Sequence, residues 1–199
     1  MRLAVIDSGV ANIGSVCYAL ERLGVQPQLV RSASELGQAE RALLPGVGAA
    51  GAAMARLREL DLIEAIRSFP RPLFGICLGM QLLFERSAEG GIETLGLIPG
   101  PIEKLPEFPG VRVPHMGWNR LQRRVESPLL EGIPEGAQAY FVHSYAAPVG
   151  EWTLASSTHG EPFSAIVRRG NVAGAQFHPE RSAVVGAQLL KNFIEWDGQ

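Results

Sequence analysis

At 199 residues the chain is long enough to build one full-sized core. Its 18 basic residues against 20 acidic ones leave a formal charge of −2. That excludes the strongly basic balance of a nucleic-acid or anionic-membrane binder and favours a small molecule or a protein as partner. No segment approaches the apolar length needed to cross a bilayer, and "MRLAVIDSG" is too short in apolar residues for a signal peptide, so one cytoplasmic domain over 1–199 is expected.

"RLAVID", residues 2–7, is a short apolar run that ends in "SGVANIG", and "SVCYALERLG" carries helical spacing up to a glycine stop at Gly24. This predicts strand, turn and helix. "QPQLVRS" predicts a second strand, "RALLPGV" a third that runs into a glycine loop, and "AMARLRELDLIEAIRSF" one amphipathic helix before Pro70. "RPLFGIC" predicts a fourth strand. Such alternation of Val-, Ile- and Leu-rich runs with helical stretches marks the α/β class, a doubly wound and mainly parallel sheet covered on both faces. From about residue 91 the pattern becomes Gly- and Pro-rich, with the short candidate strands "VRVPHMGW", "AYFVHSYAAP", "WTLASSTHG" and "FSAIVRRGNVAGAQF". These predict an antiparallel or mixed C-terminal part, closed by the helix "SAVVGAQLLKNFIEWD".

Ligands of such sheets bind beyond the carboxyl ends of the strands. Three glycine turns fall there: "DSGVANIG", "LPGVGAAG" and "GICLGMQ". "GVGAAG", residues 46–51, has the bare G-x-G-x-x-G spacing, a weak signal by itself, and no G-x-x-x-x-G-K-[ST] occurs, so nucleotide binding has weak support. The two cysteines, Cys17 and Cys77, stand in unlike contexts and make neither a disulfide framework nor a zinc site.

Cys77 lies between strand and helix in "GICLG", the G-x-C-x-G spacing of a nucleophile elbow, which lifts a side chain out of the sheet edge. An exposed thiol there, with the free N–H groups and positive end of the next helix beside it, is favoured as thiolate. Cys17, inside the helical "SVCYAL", reads as a packing thiol. Among His115, His143, His159 and His178, context favours His178, which follows the apolar run "VAGAQF" and has Glu180 at plus two across the stiffening Pro179. In an extended segment the two share a face, which makes a base and its orienting group; a capping acid for the final helix is the competing reading of Glu180. Gln81, one helical turn past Cys77, can hold a substrate beside the sulfur, or is an ordinary polar residue on a half-exposed helix. In "LPGVG", Gly46 and Gly48 leave room for a reacting carbonyl, and backbone N–H groups there with that of Leu78 can form an oxyanion hole.

On these segments the chain resembles the triad-type (class I) glutamine amidotransferases: "GICLGMQLLF" is similar to their nucleophile segment, "AQFHPERS" to their His-x-Glu segment and "LPGVG" to their oxyanion strand. The resemblance implies a triad of Cys77, His178 and Glu180, and an oxyanion hole from Val47, Gly48 and Leu78. It further implies a glutamine site including Gly46, Gly48, Gln81, His143, Ser144 and Tyr145, with no cofactor and no metal. "DSGVANIGSV", "VPHMGWN" and "YFVHSY" narrow it to members that are separate glutaminase subunits and pass ammonia to a (β/α)8-barrel cyclase. "SGVAN" departs from the "YGxGN" that members often carry, at a turn expected to face the partner. Asn12, Met116, Trp118 and Asn119 are the expected interface residues; the plainer reading has Trp118 plug the sheet. The rivals are a glutaminase serving another synthase, a free-standing gamma-glutamyl cysteine hydrolase, and a non-catalytic docking subunit.

Overall fold

The computed structural model describes residues 1–9 and 12–199, so Val10 and Ala11 of the "SGVAN" turn lie outside the described residues. Strand β1 is Leu3–Ile6, buried throughout as a strand covered on both faces must be. There follow α1 (Ile13–Arg22), β2 (Gln28–Val30), α2 (Ala33–Gly37), β3 (Arg41–Gly46), α3 (Ala50–Glu59), α4 (Ile63–Arg67) and β4 (Leu73–Cys77). Next come α5 (Leu78–Leu82), β5 (Phe84–Ser87), β6 (Ile92–Glu93), β7 (Ile98–Lys104), β8 (His115–Arg120), β9 (Gln122–Arg123) and β10 (Gln138–His143). The chain ends with β11 (Tyr145–Ala146), β12 (Thr153–His159), β13 (Glu161–Arg169), β14 (Val172–Ala175) and α6 (Ala183–Glu195).

One eight-stranded sheet runs β2-β1-β3-β4-β14-β13-β12-β9. The strands are parallel from β2 to β14 and antiparallel from β14 to β9, the mixture expected of the α/β reading. Side chains alternate across it: Val5, Leu43 and Phe74 join a core with Phe141, Phe177 and Phe193, while Ile6, Leu44 and Leu73 join one with Met80 and Phe84. Strands β10 and β8 form a two-stranded ribbon, and β11-β7-β5-β6 a small mixed sheet.

Three elements differ from expectation. The single helix predicted over 53–69 is two, because Asp61 turns to φ 53° between α3 and α4, a conformation short polar side chains tolerate. Helix α2 is absent from the sequence reading, although "SASE" spells its capping box: Ser32 accepts from Glu35 N while Glu35 accepts from Ser32 N. The segment after α5 returns at once as β5, so the apolar run "LGMQLLF" is a helix of five residues and then a strand. Among the described residues no helix is long and apolar enough to cross a membrane.

Candidate active site

Cys77 ends β4 at φ 54° and ψ −112°, a left-handed conformation that a residue with a Cβ holds only when its surroundings over-determine it. The surroundings are the glycines at minus two and plus two. A Cβ on Gly79 would stand 1.7 Å from the Leu44 carbonyl oxygen, and one on Gly75 2.5 Å from Met80 N. Helix α5 can therefore press onto β3 and β4 only with glycine at both places, and the strand must turn sharply at Cys77. The elbow read from "GICLG" is formed. Two details differ: α5 is too short to act as a macrodipole, leaving only its first free N–H groups, and Cys77 is 7% exposed rather than open on the surface.

The sulfur is reached through a cavity of about 300 Å³. Val47 and Gly48 line it from the loop after β3, and Cys77, Leu78 and Gln81 from the elbow. His143, Ser144 and Tyr145 enter between β10 and β11, and His178 after β14. Gly46 does not line the cavity; it pairs with Cys77 in the sheet, and a Cβ on it would meet Gly79 N at 2.9 Å. Glu89, absent from the sequence reading, is the acid on this wall, its carboxylate accepting from Ala50 N at the start of α3.

His178 Nδ1 lies 2.9 Å from Glu180 Oε1, with side chains 10% and 3% exposed. The pair is brought together by a 3-10 turn, Pro179–Arg181, rather than by extended backbone. Buried Ser182 locks that turn, donating to the His178 carbonyl and accepting from Tyr140 N. Burial alone would pull the imidazole pKa down; hydrogen bonds and charge from Cys77 and Glu180 outweigh it and raise the value to about 10. With Nδ1–H committed to Glu180, Nε2 is left to exchange a proton with Cys77. The arrangement keeps a proton on His178 beside the Cys77 sulfur.

Carbonyls fix the rest of the wall. The Gln81 atom 2.8 Å from the Tyr145 carbonyl is its NH₂, and the same nitrogen lies 3.1 Å from Gln176 Oε1. Both N–H bonds of Gln81 are thereby occupied, leaving its oxygen to receive an N–H from a ligand. His143 Nδ1 also donates to the Tyr145 carbonyl, so its Nε2 accepts from His115 Nδ1, and His115 Nε2 accepts from Asn119. Burial, with a small push from neighbouring His159, holds the His115 pKa down at about 4; burial likewise holds that of His143 at about 3. These two imidazoles are neutral hydrogen-bonding groups at pH 7 and not rival bases. Cys17 is half-buried on α1, where burial and then the Glu21 charge raise its thiol pKa.

Of the expected interface residues, Met116 and Trp118 occupy one face of β8 and are 64% and 51% exposed, so Trp118 does not plug the sheet. Asn119, on the opposite face, turns inward to His115 and the Thr158 carbonyl. Asn12 is exposed at the start of α1. A second cavity, of about 610 Å³, lies between α1, Trp118 and α6, and Glu180 and Arg181 form part of its wall. The turn that carries Glu180 thus also lies against the Trp118 face.

The family model described as "Glutamine amidotransferase class-I" matches residues 4–196. An "Imidazole glycerol phosphate synthase subunit HisH" from Xanthomonas euvesicatoria pv. vesicatoria (strain 85-10) is 58% identical over 193 residues, covering 97% of this chain and 96% of that protein. One from Xylella fastidiosa (strain Temecula1 / ATCC 700964) is 57% identical over 195 residues, 98% of each. Among solved structures, one described as a glutamine amidotransferase aligns with TM-score 0.76 at 22% identity, covering 98% of each chain. PurLQS from Thermotoga maritima aligns with TM-score 0.70 at 20% identity over 98% of this chain and 97% of that one. These two likenesses speak to fold.

Proposed function

The chain belongs to the class-I glutamine amidotransferases, among the glutaminase subunits of imidazole glycerol phosphate synthase, and from that membership we propose that Cys77, His178 and Glu180 are its triad. The observation that carries the assignment is Cys77 held at a left-handed elbow on the cavity wall it shares with His178, whose other nitrogen is paired with Glu180.

The thiolate of Cys77 attacks the carboxamide carbon of glutamine. Negative charge moves onto the carbonyl oxygen, toward the N–H of Leu78 and the peptide between Val47 and Gly48. The tetrahedral species collapses as His178 gives its proton to the departing ammonia, leaving a glutamyl thioester. Neutral His178 then takes a proton from water, which attacks the thioester; glutamate leaves and the thiolate and imidazolium are restored. Glutamine and water enter, glutamate and ammonia leave. The carboxylate of Glu89 suits the α-ammonium group of glutamine, and the free oxygen of Gln81 a second ligand N–H. His143, Ser144 and Tyr145 close the pocket around the substrate.

The ammonia serves a cyclase subunit in histidine biosynthesis, a (β/α)8 barrel docked over the exposed Met116 and Trp118 face, in the cytoplasm and with no cofactor on this chain. Residues 1–199 act as one amidotransferase domain. A chloro ketone analogue of glutamine tests the reading: it should alkylate Cys77 and spare Cys17. Equal labelling of the two cysteines would refute it.

A further inference from the structure

We propose that Gln176, which lies outside the triad and does not line the cavity, is a further catalytic residue that holds the Cys77 sulfur as thiolate through its side-chain N–H. The inference rests on Cys77 being the nucleophile. Gln176 follows β14 directly, is completely buried, and its backbone N–H is held by the Ala165 carbonyl. Its amide nitrogen lies 3.8 Å from Cys77 Sγ.

The orientation of that amide follows from its neighbours. The Tyr145 carbonyl can only accept, so Gln81 presents its NH₂ there, and the same NH₂ faces Gln176. Gln176 must answer with its oxygen, which turns its own NH₂ to the sulfur. The Val142 carbonyl, 3.8 Å from Sγ on its own account, can only accept and so favours the protonated thiol. The Gln176 N–H can only donate and favours the thiolate. The two contacts pull the sulfur toward opposite protonation states, with His178 as the exchange partner. The same N–H stabilises the thiolate again when it leaves the glutamyl thioester.

The test is the rate of Cys77 alkylation by iodoacetamide against pH, followed site by site by mass spectrometry, in the full chain and in Gln176→Met and Gln176→Glu. Met keeps the volume and removes the donor. Glu keeps an acceptor for Gln81 and places a carboxylate beside the sulfur. Alkylation of Cys77 at pH 6 should fall about tenfold in Gln176→Met, the size expected for losing one charge-assisted hydrogen bond, and further in Gln176→Glu. Alkylation of Cys17 should be unchanged, and kcat for glutamine should fall with KM nearly constant. A wild-type pH profile for Cys77 in either folded variant would overturn the proposal and reduce Gln176 to a packing residue. Wild-type Cys77 alkylating no faster than Cys17 would instead remove the nucleophile assignment beneath it.

Discussion

Glu180 Oε1 holds His178 Nδ1 at 2.9 Å while its other oxygen, Oε2, is buried without a hydrogen-bond partner. A carboxylate kept so dry is costly unless its charge is answered nearby, and the imidazolium is that answer. Replacing Glu180 with Gln keeps an acceptor for Nδ1–H but removes the charge. Glutaminase kcat should drop about tenfold to a hundredfold in Glu180→Gln, and more in His178→Asn, which loses the proton carrier itself. Steady-state kinetics on the two variants check the ranking; an inverted order contradicts the roles.

The elbow glycines carry a packing prediction. In Gly79→Ala the added methyl would collide with the Leu44 carbonyl, a backbone atom that cannot step aside without moving β3. Stability should fall by more than about 3 kcal/mol in urea titration. A loss below about 1 kcal/mol would mean that α5 does not press on the sheet as described.

Stability should also depend on pH in a signed way. Unfolded histidines take up a proton near pH 6.5, whereas His115 and His143, kept neutral by burial, wait until about 4 and about 3. Below pH 6.5 the unfolded chain therefore binds more protons, and stability falls with a limiting slope of about 1.4 kcal/mol per pH unit for each histidine. His178 acts the other way. Its folded value of about 10 gives stabilisation complete below pH 6.5 and lost as pH rises toward 10. Urea midpoints from about pH 5 to 9 should peak near 6.5, and His143→Gln should flatten the acid side. A wild-type acid side already flat over that range would contradict the neutral pair.

The exposed Trp118 predicts a response to the partner. Adding the cyclase subunit with an acceptor analogue should raise glutaminase kcat at least about tenfold, or about 1.4 kcal/mol of barrier. Trp118→Ala should blunt the gain and leave the fold of the isolated chain intact, since the ring is half in solvent. Full turnover by the isolated chain, unchanged by the partner, would favour a free-standing hydrolase.

Much of this site is legible in sequence because its signals are local. The glycines around Cys77 and the acid two residues after His178 are short-range patterns, and the parallel strands are continuous apolar runs. What escapes is set by distant contacts. Gln176 carries no local signal in "AQFHPE" until the sheet brings it beside Cys77, and Glu89 reaches the cavity only through the small sheet that follows α5. Asn119 looks like a surface residue beside Trp118, yet strand alternation turns it inward to His115. The capping box of α2 is local and readable; the break at Asp61 is hidden by unbroken helical spacing on either side.

The most direct measurement compares two ammonia sources in the assembled synthase carrying Cys77→Ala. With glutamine the synthase reaction should cease, and with free ammonium salts it should proceed as in the wild type, because only the thiolate is missing. Glutamine-driven turnover at the wild-type rate in Cys77→Ala would contradict the account.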